Sequence, residues 1–133
     1  MTRSQVDSLA DELAALLRWD PAVLKAYAFL LSKAGEVMAD ELGAGAGVSG
    51  APLDELLAAL ERDGLTVKGP AGIFPVHPRL GIGNVYRLSL AKDPSVSAVR
   101  PKVDSVVSIL ASYRERIEDR EYAGPMGRPE GRP

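Results

Sequence analysis

Only one side chain in the sequence, His77, titrates near neutral pH, and there is no cysteine. Without cysteine there are no thiolate nucleophiles, disulfides, zinc fingers or iron–sulfur clusters. One histidine supplies neither a triad base with its orienting partner nor a histidine-rich metal site. The acid pairs Asp40-Glu41 and Asp54-Glu55 are adjacent, so on a helix each pair diverges by about 100°. They suit a solvated face and not a shared substrate. The one phosphate-type motif is Gly45-Ala46-Gly47-Val48-Ser49-Gly50, which fits G-x-G-x-x-G. A dinucleotide site also needs a strand before it, a parallel strand after it and an acid about 20 residues on. Here Val37 to Leu42 precede it with helical spacing, and no Gly-Lys-Ser/Thr occurs. The glycines are expected to form a flexible turn. The chain is therefore expected not to be an enzyme and to carry no cofactor or metal.

Charge offers more than catalytic chemistry does. The net charge of −2 hides a split. Residues 1–62 carry 5 Lys/Arg against 10 Asp/Glu, whereas residues 65–102 carry 6 Lys/Arg against Asp93 alone. Such asymmetry speaks of partners more than of fold. Lys68, Arg79 and Arg87, with Arg62 just before them, are the candidate contacts to nucleic-acid phosphates. Asn84, Tyr86 and Arg87 form a polar cluster in a glycine-rich run, and the simplest role for Arg87 there is pairing with a carboxylate of the body.

Elements must position these residues. The 133 residues suffice for one domain with a real core, and at 46% apolar and 26% charged they should fold. No run approaches the ~18 apolar residues of a membrane span. The first residues carry acids where a signal peptide would be apolar, so the expected location is cytoplasmic, without membrane contact. Val6, Leu9, Leu13, Leu16 and Leu17 predict an amphipathic helix over 4–18, capped by Ser4 with Asp7. Asp20-Pro21 starts a second helix, with Val23, Leu24, Tyr27, Leu30 and Leu31 inward and Gly35 as its left-handed cap. Trp19 and Tyr27 are expected to anchor these two helices. A short helix is expected over Glu36–Leu42, with Val37, Met38 and Leu42 inward and Ala39 at a close approach. Gly43–Gly50 is then a turn, since each interior glycine costs a helix about 1 kcal/mol. Pro52 opens the next helix, which buries Leu53, Leu56, Leu57 and Leu60, exposes Asp54, Glu55, Ala58, Ala59 and Glu61, and ends at Asp63-Gly64.

Beyond Gly64 the pattern turns to strands. Leu65–Lys68 and Ile73–Val76 flank the turn Gly69-Pro70-Ala71-Gly72, with Pro75 at an edge and His77 hydrogen-bonded at the strand end. Residues 81–90 fit both a strand and one helical face. Asp93-Pro94 is a second cap. A long helix follows over 101–122, with Arg114 and Glu118 paired on its outer surface, and the proline- and glycine-rich residues 124–133 are expected to be disordered.

Three helices and a hairpin are the parts of a winged helix-turn-helix. The expected fold class is mostly α with a small β-hairpin (α+β), a winged helix-turn-helix with flanking N- and C-terminal helices. The segments are an N-terminal helix (1–19), the winged domain (20–92), a C-terminal helix (93–122) and a tail (123–133). The helix Pro21–Leu31, the helix end Leu56–Leu65 and the run Phe74-Pro75-Val76-His77-Pro78 resemble archaeal winged-helix transcription regulators of the TrmB type, over Asp20 to about Pro78. That resemblance implies a DNA-binding domain and a helix over Arg79–Ala91. The sugar-sensing domain common in the family has no room here. The helix that would read DNA departs from the pattern, because it presents Asp54 and Glu55 where base-reading side chains belong.

Val103, Val106, Leu110, Tyr113 and Ile117 alternate three and four apart, as in a short coiled coil. With Leu9 and Leu13 of the first helix they are the expected interface of a homodimer. The functional expectation is a homodimeric transcription regulator that contacts double-stranded DNA mainly through its basic wing region. The alternative is a winged-helix adaptor that binds another transcription protein and little or no DNA.

Overall fold

A computed structural model describes residues 1–123. The tail 124–133, expected to be disordered, lies outside the described residues. The chain is mostly helical, with one two-stranded antiparallel sheet. Its helices are α1 (Arg3–Leu17), α2 (Pro21–Leu31), α3 (Ala39–Ala46), α4 (Gly50–Arg62), α5 (Pro78–Lys92) and α6 (Arg100–Ala123). Strands β1 (Thr66–Lys68) and β2 (Ile73–Pro75) lie between α4 and α5, and a 3-10 turn, Pro94–Val99, joins α5 to α6.

The centre is α2, where eight of eleven residues are buried. It touches α1, α3, α4 and β2. Asp20 caps it, its carboxylate accepting from the Ala22 amide at 2.9 Å, and Pro21 fills the first helical position. One buried cluster runs from Val6 to Ile117, so the flanking helices share the core of the central segment.

Several local expectations are corrected. The α1 cap is Thr2 with Gln5, not Ser4 with Asp7: the Gln5 amide donates to the Thr2 hydroxyl and the Gln5 side chain accepts from the Thr2 amide. α2 stops at Leu31 with Ser32 as its cap, and Gly35, although at positive φ, lies beyond it. The third helix spans Ala39–Ala46, not Glu36–Leu42. Val37 is instead held by a β-bridge to Ile73, while Met38 is 50% exposed and Ala39 is exposed. Gly43 and Gly45 therefore sit inside a helix expected to be a turn. Packing explains this, because a Cβ on Gly45 would fall inside the Phe29 ring. α4 begins at Gly50, before Pro52, and Ala59 is buried, not exposed.

The hairpin pairs Thr66 with Pro75, Val67 with Phe74 and Lys68 with Ile73. Its Gly69–Gly72 turn is tied to the body by Glu36, whose carboxylate accepts from the Ala71 and Gly72 amides. Residues 78–92 are helical. Pro78, Gly81, Ile82, Val85, Tyr86 and Ser89 are buried at three- and four-residue spacing, and Leu88, which a strand would turn inward, is 39% exposed. His77 is the cap of this helix, its Nδ1 accepting from the Arg79 amide.

The α6 seam is spent inside the chain. Val103, Val106, Leu110, Tyr113 and Ile117 are all below a tenth exposed without a second copy, as is Leu13, and Leu9 is half-buried. α6 packs on α1 and α5, so the homodimer interface expected at these residues is corrected to an intramolecular contact. Arg114 is also not on the surface. It is 5% exposed and donates to the carbonyls of Leu30, Leu31 and Lys33 at the end of α2, while its Nε reaches Glu118 at 3.0 Å.

Candidate nucleic-acid interface

The four sequence candidates are all exposed but do not sit together on the hairpin. Lys68 alone belongs to it, and its ammonium lies 3.9 Å from Glu61. Arg62 closes α4 and pairs with the buried carboxylate of Asp63 at 3.2 Å. Arg79 and Arg87 are on α5, two turns apart on one face. Gly83, midway between them, has nothing on that side for a side chain to meet closer than the Arg87 guanidinium at 3.7 Å. The face between the two arginines is consequently open.

That face forms one wall of a cleft of about 640 Å³ between α5 and α6. The opposite wall adds Arg100, which in the sequence stood out as a charge but not as a site residue. Its guanidinium lies over the Tyr86 ring, 4.7 Å from the centroid, and its Nε donates to Asp104 at 3.1 Å. The Asp104 contact, with help from Tyr86, holds Arg100 protonated even above the usual arginine range. Asp104 is the one carboxylate lining this cleft, against three arginines. Among the described residues no salt bridge engages Arg79 or Arg87.

Arg87 is oriented by its neighbour. Its guanidinium donates to the Asn84 side-chain oxygen, and the Asn84 amide donates to the Gly64 carbonyl at 2.8 Å. Gly64 (φ 76°) has no Cβ because Asn84 occupies that space. Asn84 thus fastens α5 to the end of α4, where Arg62 sits. The sequence cluster Asn84, Tyr86 and Arg87 is brought together, but the partner of Arg87 is an amide and not a carboxylate. Finding Arg100 from sequence required knowing that 79–91 is helical, since only then do α5 and α6 make two walls.

The other candidates settle into structural roles. Trp19 donates to Asp63 at 2.9 Å and lies beneath the Lys92 ammonium. His77 Nε2 stands 3.2 Å from Glu115 on α6. Tyr27 donates to the Val76 carbonyl, and burial pushes its hydroxyl far above the ordinary phenol range. No group of three or more His, Asp or Glu side chains among the described residues could hold a metal ion. The helix before Gly47 and the absence of any parallel strand among the described residues remove the dinucleotide motif. No described helix is long and apolar enough to cross a membrane. Comparison with protein-family models, with curated proteins and with solved structures finds no match for this chain.

Proposed function

We propose that this chain is a winged-helix transcription regulator that grips nucleic-acid phosphates with the arginines of the α5–α6 cleft, and not with the helix that usually reads bases. The observation that carries this is the placement of Arg79, Arg87 and Arg100 around one open cleft with a single carboxylate. Guanidinium groups are planar, permanently charged and weakly hydrated, which suits them to phosphate oxygens. The element order supports the winged-helix part of the reading. A helix, a bridged residue (Val37), two helices and a hairpin follow one another as such a fold requires.

The test is binding to random-sequence duplex DNA, followed by fluorescence anisotropy across a salt series. Replacing Arg79, Arg87 and Arg100 with alanine should weaken binding for every sequence and lower the salt slope by about 0.9 for each phosphate that is no longer neutralised. An unchanged slope overturns the assignment.

A second reading, the protein–protein adaptor, is favoured by one specific observation. Asp54, Glu55 and Glu61 are all exposed on α4, and carboxylates there oppose a polyanion.

A further inference from the structure

From residue 34 to residue 61 the sequence holds Glu36, Asp40, Glu41, Asp54, Glu55 and Glu61 and no lysine or arginine. This segment makes α3 and α4. The chain thus carries its negative charge on the helix pair and its positive charge on α5 and the start of α6.

The acidic side also has a shape. Between α4 and the hairpin runs a groove of about 490 Å³. Leu57, Ala58, Ala39 and Ile73 supply its apolar lining, and Asp54 and Glu61 supply carboxylates. Met38, a large apolar side chain left half in water, immediately precedes Ala39 at this groove. Asp54 and Glu61 are seven residues apart, which is two turns or about 10 Å along the helix. Leu57 and Ala58 lie midway on the same face. The pattern along α4 is therefore carboxylate, apolar pair, carboxylate.

That arrangement selects its occupant by charge and by length. The carboxylates stand too far apart to converge on one cation. Nucleic acid would be repelled. A chain segment with two basic residues about 10 Å apart and an apolar side chain between them satisfies all three positions. We propose that the α4–hairpin groove docks such a basic segment of a partner protein, with its apolar side chain on Leu57 and Ala58 and its flanking cations on Asp54 and Glu61. The site is separate from the α5–α6 cleft, and neither depends on the other.

The probe is a fluorescein-labelled helical peptide with lysines seven residues apart and two leucines midway, read by anisotropy. Its control carries glutamate in place of each lysine. The unaltered protein should bind the lysine peptide and not the control. The double change Asp54→Lys and Glu61→Lys should weaken that binding about tenfold or more. Ala58→Arg, an exposed position, should weaken it similarly by filling the groove. The variant with Arg79, Arg87 and Arg100 replaced by alanine should bind the peptide as the unaltered chain does, even though it loses DNA. Equal binding of both peptides, or unchanged affinity in the Asp54/Glu61 and Ala58 variants, overturns the proposal. So does loss of peptide binding in the arginine variant. DNA binding that fails while the peptide results hold rejects the cleft reading alone.

Discussion

Arg114 shows how far a single residue can depart from its sequence pattern. Its spacing from Glu118 suggests an exposed ion pair, yet its guanidinium is buried against the last carbonyls of α2. Those carbonyls have no partners within their own helix and carry its negative dipole end. A rigid fork of donors satisfies several of them at once. Replacing Arg114 with alanine should leave them unpaired and cost about 2–4 kcal/mol in urea denaturation. Arg114→Lys should recover only part of this, because an ammonium is a point charge. The nearby Tyr27 adds a pH signature. Its hydroxyl is held protonated in the folded chain by burial, whereas in the unfolded chain it ionises near pH 10. The unfolded state therefore binds fewer protons above that pH, and stability should fall as pH rises past about 10. Tyr27→Phe should flatten this alkaline limb of the urea-midpoint profile, at the cost of the bond to Val76.

At the scale of elements, local rules were sufficient where they agreed with packing. Asp20-Pro21 started α2 and Asp63-Gly64 ended α4 as capping chemistry requires. They failed at α3. There the helix cost of glycine was weighed and the Phe29 ring was invisible, since that contact joins residues far apart in sequence. The two effects can be set against each other by experiment. On propensity alone, Gly45→Ala should stabilise α3 by about 1 kcal/mol. On packing, the new methyl must displace a phenyl ring in a filled site, which costs about 1–3 kcal/mol. Packing should win, and the variant should unfold at lower urea. A rise in midpoint would mean that Phe29 moves aside freely. In α5 the ambiguity had a different source. Gly81 weakens the helical signal, but a Cβ there would crowd the Tyr27 hydroxyl and Leu65, so the glycine serves a close approach and does not break the helix.

For the whole molecule, the charge split was legible in the sequence but its geometry was not. Lys68 and Arg62 lie near carboxylates, whereas Arg79, Arg87 and Arg100 converge across two helices. The same holds for the α6 stripe. Its periodicity announced a buried face, and only the tertiary arrangement says that the chain's own helices bury it. This changes what an aspartate at the seam should do. Were the seam an interface between copies, Leu110→Asp would yield a folded monomer. Leu110 is 2% exposed within one chain, so a carboxylate there has neither water nor a partner, and the missing leucine leaves a void. The combined cost is about 3–5 kcal/mol, a large share of the roughly 5–15 kcal/mol that holds a domain together. Leu110→Asp should therefore lower the urea midpoint steeply without changing the mass of the folded species. The adjacent Ile109 is 45% exposed, and Ile109→Asp should shift stability by no more than about 0.5 kcal/mol. Light scattering beside the denaturation curves separates the cases: a mass that halves in Leu110→Asp while the fold persists would return the seam to a second chain.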